Sequence, residues 1–126
     1  MKKLNLVLIL IILVMGISYI IINESTNNKV LNIAESSIKN KYQVNEEEIK
    51  NIYTHEYLEK INNEKGTAKY NGNYKILDIN ILEKDLIKGK YWVNVQIEDS
   101  MGRYVQHIYI IRENNRYRIY DIENDI

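Results

Sequence analysis

Tyr91-Trp92-Val93-Asn94-Val95-Gln96-Ile97 is the stretch that decides the fold. Tyr91, Val93, Val95 and Ile97 point one way, and Trp92, Asn94, Gln96 and Glu98 point the other. A period of two marks a strand with one face on a core. Asp99-Ser100-Met101-Gly102 follows as a hairpin turn with its glycine last. Arg103 to Arg112 is the next strand. It is apolar on both faces from Ile108 to Ile111, which predicts a central strand covered on both sides. Asn114-Asn115 makes a second hairpin turn, because Asn tolerates the left-handed backbone, and Arg116 to Ile122 is the last strand. Upstream, Tyr74 to Glu83 reads as the first strand, with Leu77, Ile79 and Ile81 on one face.

Before the strands the period is helical. Val30, Ile33, Ala34, Ser37, Ile38 and Tyr42 recur at three-and-four spacing. A second helix is predicted over 46–62, with Ile49, Ile52, Tyr53, Tyr57 and Ile61 as its stripe. Asn45 caps it, and Glu48 stands in the capping-box position. Residues 62–73 read as a loop around Gly66 and Gly72, holding a short strand at Thr67 to Tyr70. The plan is α+β, with two helices packed on a curved antiparallel sheet of about four strands. Val93, Val95, Ile97, Ile33, Ile38, Ile49 and Ile52 are its expected core.

The chain opens Met1-Lys2-Lys3, and no charge then appears until Glu24. Residues 4–22 span roughly 28 Å as a helix, close to the ~30 Å hydrocarbon core of a bilayer. The two lysines predict a cytoplasmic N-terminus and an extracytoplasmic C-terminal domain, in a single-pass protein of the cell membrane. Small residues at Gly16 and Ser18 also suit signal-peptide cleavage after Ser18, which would make the protein secreted. The apolar run continues past that point, which favours an uncleaved anchor. The expected organisation is an anchor or signal peptide over 1–23, a polar tether over 24–29 and a domain over 30–126. The triplet Asn23-Glu24-Ser25 matches a glycosylation acceptor, but three residues in an Asn-rich chain match by chance.

The 126 residues carry 17 Lys+Arg and 17 Asp+Glu, a zero net charge that argues against nucleic-acid binding. No cysteine is present, so a disulfide framework, a thiolate nucleophile, a Cys-based metal site and a lipoprotein anchor are all excluded within this sequence. No catalytic motif stands out. Neither a cofactor nor a metal is expected.

The closing segment Arg112-Glu113-Asn114-Asn115-Arg116-Tyr117-Arg118-Ile119-Tyr120-Asp121-Ile122 resembles the last hairpin of the NTF2-like (cystatin-like, SnoaL-like) superfamily. Tyr117 takes the place of that pattern's aromatic, usually Trp, and Arg118 that of its basic residue. Ile119 and Asp121-Ile122 complete it. Asn115 replaces the usual Gly, and the helical half is short for the superfamily. The resemblance covers about residues 28–123 in element order. It implies a cone-shaped sheet and, in enzymatic members, acid/base residues inside the cone. Anchored domains of this kind are common in low-GC Gram-positive bacteria, and the Ile, Lys, Asn and Glu bias here is similar to theirs. A single anchor before such a domain also resembles components of conjugation machines.

Candidate site residues follow from these faces. His107 and Tyr109 share a strand face with Val105 and Ile111. With Asp78 and Asp121 they are the available acid/base groups, provided a pocket tunes them. The ordinary alternative for His107 is a half-buried side chain filling a strand position. Trp92 stands on an otherwise polar strand face, which marks either a contact surface or packing under a loop or a second copy. Tyr117 joins Trp92, His107 and Tyr109 as a binding candidate. His55 reads as a boundary residue. Glu46-Glu47-Glu48 read as helix-start electrostatics, and Asp121, Glu123 and Asp125 as a solvated tail. The expected function is a non-enzymatic, membrane-tethered binding module with a protein partner or a homodimer. The alternatives are a pocket protein or enzyme using His107 and Tyr109, and a structural subunit of an envelope complex.

Overall fold

A computed structural model describes residues 2–63 and 72–125. The predicted strand at Thr67 to Tyr70 and Gly66 lie outside the described residues. The order of elements is α1 (Lys2–Tyr42), α2 (Glu46–Ile52), α3 (His55–Asn63), β1 (Tyr74–Asp85), β2 (Lys90–Asp99), β3 (Gly102–Glu113) and β4 (Arg116–Asp125). The α+β plan is as expected. The strands form one open antiparallel sheet in the order β1-β2-β3-β4.

The turns explain the meander. Asn114 and Asn115 adopt φ of 50° and 63°, the left-handed pair that matches strand twist in a two-residue hairpin. Asn-Gly suits this turn better than Asn-Asn. Asn115→Gly is therefore expected to add roughly 0.5 kcal/mol of stability, read as a higher melting temperature. Gly89, at φ 65°, closes the β1–β2 turn, and its carbonyl accepts the Arg112 N–H at 2.8 Å. A Cβ there would sit 3.1 Å from the Arg112 Cβ, so glycine also permits the approach of β3.

The core lies between the sheet and the helices. Val93, Val95, Ile97, Ile108, Ile110 and Ile119 from the sheet meet Val30, Ala34 and Ile38 of α1, and all are fully buried. Ile52 and Tyr53 close the cluster, while Ile33 and Ile49 pack at its margin. The alternation of β2 is borne out. On β3, Ile108 and Ile110 are buried but Tyr109 and Ile111 are only half-buried. The expected cover on both faces is thus corrected: all three helices pack on one side. On β1 a bulge falls between Ile76 and Asp78. It shifts the inward set to Ile76, Ile79 and Ile81 and turns Leu77 to the other face, beside Gln96 and Val105.

The helices depart from expectation in two places. Residues 24–29, read as a tether, are helical, and α1 runs unbroken through 41 residues. No Gly or Pro interrupts 23–42. The propensity cost of Asn, Ser and Thr, below about 0.7 kcal/mol each, is offset by packing. Asn23, Thr26 and Asn27 are partly buried and prolong the stripe of Val30, Ala34 and Ile38 in polar residues. At the other end of α1, Asn40 Nδ2 donates to the Asn45 carbonyl at 3.1 Å and fixes the turn into α2. Asn45 caps α2 as expected, accepting from the Glu47 N–H at 3.1 Å.

The predicted 46–62 helix is instead two. Tyr53 bridges to Ile119, and the Thr54 N–H donates to the Ile119 carbonyl at 2.9 Å. Thr54 Oγ1 then accepts the Tyr57 N–H at 3.3 Å and starts α3. The break lets the helical layer hydrogen-bond to β4. The last strand runs three residues further than expected, through the acidic end of the chain, whose Glu123 and Asp125 are exposed as read. Asp121, Glu123 and Asp125 belong to β4, with Asp125 opposite Val105 in the ladder.

Tyr42 pins the C-terminal end of α1 to the sheet. Its hydroxyl donates to Asp99 Oδ2 at 2.7 Å and lies 2.7 Å from the Tyr104 hydroxyl. Its ring stacks on Tyr74 with centroids 4.5 Å apart. Burial, then the hydrogen bonds to Tyr104 and Asp99, push the Tyr42 pKa well above the usual tyrosine range. Burial pushes Tyr53 up to about 12. A folded pKa above the unfolded value gives stability that is complete below the unfolded pKa and lost as pH rises through the folded one. Stability is therefore expected to fall above about pH 10, where unfolded tyrosines ionise. Denaturant midpoints measured between pH 8 and 12 check this, and Tyr42→Phe should flatten the decline.

Candidate functional site

Helices cover one face of the sheet, and the other face carries an aromatic strip. Trp92 comes from β2, Tyr109 from β3 and Tyr120 from β4. The ladder puts Trp92 directly opposite Tyr109. Their rings stack at 5.7 Å between centroids and 26° between planes. Tyr120 follows at 6.0 Å from Tyr109. A register shift between Tyr109 and Ile110 makes Tyr120 the extra residue of β4 and brings it into this row. Lys90 Nζ sits 5.3 Å from the centre of the Tyr120 ring, a cation held over an aromatic face.

His107 flanks the strip. Its ring meets Trp92 edge-on at 5.7 Å. The indole Nε1–H donates to His107 Nδ1 at 3.4 Å, which assigns the imidazole proton to Nε2. His107 Nε2 lies 3.6 Å from Asp125 Oδ2. The Tyr109 hydroxyl donates to Glu123 Oε2 at 3.2 Å. Burial, then the Glu123 hydrogen bond and charge, raise the Tyr109 pKa. A phenol held protonated in this way is a hydrogen-bond donor.

Three of the four binding candidates thus come together: Trp92, His107 and Tyr109. Tyr117 does not join them. It faces the helices and packs edge-on against Tyr91 at 5.7 Å. Alternation separates the two faces, and the aromatic character that singled out Tyr117 serves the core. Asp78 lies opposite Gln96 on β1, and Asp121 engages Lys60 at 3.7 Å, so neither reaches the imidazole of His107 as its partner. His55 is the first residue of α3, largely exposed, with Glu59 at 3.2 Å. Glu46, Glu47 and Glu48 occupy the first turn of α2. Among the described residues, no group of three or more His, Asp or Glu stands close enough to hold a metal ion.

An open groove of about 650 Å³ runs along the strip and ends at the β1–β2 turn, lined by Leu86, Ile87, Lys90, Trp92, Tyr109 and Tyr120. His107 is not part of its lining. Tyr120, Lys90 and the Leu86–Ile87 turn escaped the reading of the sequence. Alternation already put Tyr120 on this face, but its reach to Tyr109 depends on the bulge. The chain matches no protein-family model, no curated protein and no solved structure.

Proposed function

We propose that this protein is a non-enzymatic, membrane-anchored binding module of NTF2-like plan, displayed on the extracytoplasmic side. It engages a protein or small ligand through the open face of its sheet. The observation that carries the reading is the row Trp92–Tyr109–Tyr120 with Lys90 above its end. Rigid aromatics with a polar edge, set in a groove, are the residues that dominate binding energies. The anchor is an N-terminal helix long and apolar enough to span a bilayer, and Leu4 to Ile22 show their side chains to the surroundings.

Two experiments test this. A photo-crosslinking amino acid placed at Tyr109 or Tyr120 in native membranes is expected to give discrete adducts, while the same probe at Glu59 on α3 gives none. Equal adduct patterns from the two faces would sink the reading. For topology, the chain contains no cysteine, so Met101→Cys supplies a unique thiol at a position 93% exposed. A membrane-impermeant maleimide should label it on intact cells. Labelling only after permeabilisation would reverse the orientation.

A further inference from the structure

We propose that the β1–β2 turn is a second membrane contact. Leu86 and Ile87 enter the headgroup–acyl boundary of the leaflet from which α1 emerges, with Lys84 and Lys88 among the lipid phosphates. The proposal rests on the reading of residues 4–22 as a bilayer-spanning anchor.

The first ground is position. Lys84 Nζ lies 3.5 Å from Asn23 Oδ1, and Asn23 directly follows the last apolar residue of the anchor, Ile22. At the opposite end, Tyr42 stacks on Tyr74. From Asn23 to Tyr42 a helix climbs about 28 Å, and from Lys84 back to Tyr74 a strand covers about 33 Å. The two lengths agree, so α1 and β1 run side by side in opposite directions. β1 therefore heads toward the bilayer. β1 ends at Asp85, one residue beyond Lys84, so the turn that carries Leu86 and Ile87 lies past the level of Asn23, on the side of the last apolar turn of the anchor. Apolar side chains at a membrane surface bury themselves at the headgroup–acyl boundary.

The second ground is exposure. Ile87 is 98% exposed and Leu86 62%, both at a turn tip, where Asn, Asp, Ser or Gly would cost nothing in water. No described element covers them. Leu82, the bulged residue of the same edge strand, is 50% exposed and extends the patch.

The third ground is charge. Lys84, Lys88 and Lys90 bracket the tip against Glu83 and Asp85, and Asp85 Oδ1 accepts the Lys88 backbone N–H at 3.1 Å. The neighbouring β3–β4 turn, at the same end of the sheet, adds Arg112, Arg116 and Arg118 against Glu113. Basic residues around an apolar tip suit an anionic lipid surface.

The test uses the full-length protein in phosphatidylglycerol–phosphatidylcholine vesicles. Ile87→Cys, Met101→Cys and Ile12→Cys are each labelled with an environment-sensitive dye. Quenching is read with lipids carrying a nitroxide near the headgroup or near the chain end. Ile87→Cys should be quenched about two-fold or more by the shallow nitroxide, Ile12→Cys by the deep one, and Met101→Cys by neither. If Ile12→Cys is quenched and Ile87→Cys behaves like Met101→Cys, the turn does not touch lipid and the proposal fails alone. If Ile12→Cys escapes the deep nitroxide, the anchor reading fails and the proposal with it.

Discussion

A chain that begins at Asn23 is expected to fold, and one that begins at Gln43 is not. The second half of α1 is a wall of the core, with Val30, Ala34 and Ile38 fully buried against the sheet. Each buried Val or Ile contributes about 1.5–3 kcal/mol. Their loss, with the packing of Leu31, Ile33 and Tyr42, consumes most of the ~5–15 kcal/mol by which a domain of this size is stable. It also leaves Val93, Val95 and Ile97 facing water. Residues 2–22 contribute no buried side chain to the core, so their removal should leave a cooperative melt. Circular dichroism and thermal unfolding of the two fragments decide the matter. Ile38→Asp in the longer fragment is the single-residue version, since it puts a charge at a site with no exposure. A cooperatively folded fragment from Gln43 onward would show that the sheet does not need α1.

Trp92→Ala is expected to weaken whatever binds the open face by about 2 kcal/mol or more, some 30-fold, while leaving the fold in place. The indole gives the strip its largest apolar area and stacks on Tyr109, yet it lies on the side away from the helices. The stability cost should be near that of a lost aromatic pair, about 1 kcal/mol. Adduct yield from a crosslinker at Tyr120 measures the binding, and a thermal melt measures the fold. Trp92→Phe keeps the stack with Tyr109 and should recover part of the yield. Tyr117→Ala is the contrasting case. It should cost stability through the contact with Tyr91 and leave the face intact. If Trp92→Ala leaves adduct yield unchanged, the aromatic strip is not the binding surface.

Much of the fold was legible because each level of the sequence agreed with the next. The alternation of β2 and the turns at Asp99–Gly102 and Asn114–Asn115 point to one meander. What escaped reading did so for identifiable reasons. Asn23, Thr26 and Asn27 continue the buried stripe of α1 in polar residues, so no hydrophobic period reveals them. Thr54 splits the second helix through a hydrogen bond to Ile119, a partner far away in sequence. The bulge at Leu77 reverses a face without any local signal of Gly or Pro. At the site, alternation pairs His107 with Tyr109, and the hairpin at Asp99–Gly102 sets the register that brings Trp92 opposite Tyr109. Tyr120 and the Leu86–Ile87 tip could not be placed in this way, since their neighbours are set by the register shift between Tyr109 and Ile110 and by the path of α1.

The unbroken course of α1 also makes its apolar N-terminal half and the domain a single rod. A spanning helix longer than the bilayer is thick accommodates the mismatch in part by tilting. A change of about 10° over the ~30 Å beyond the membrane carries the far end of the sheet sideways by about 5 Å. A slack linker would erase that motion. On the proposed reading of residues 4–22 as a bilayer-spanning anchor, the lipid environment bears on the angle at which the aromatic face meets its surroundings, so the same chain would present itself differently in a thin membrane and a thick one.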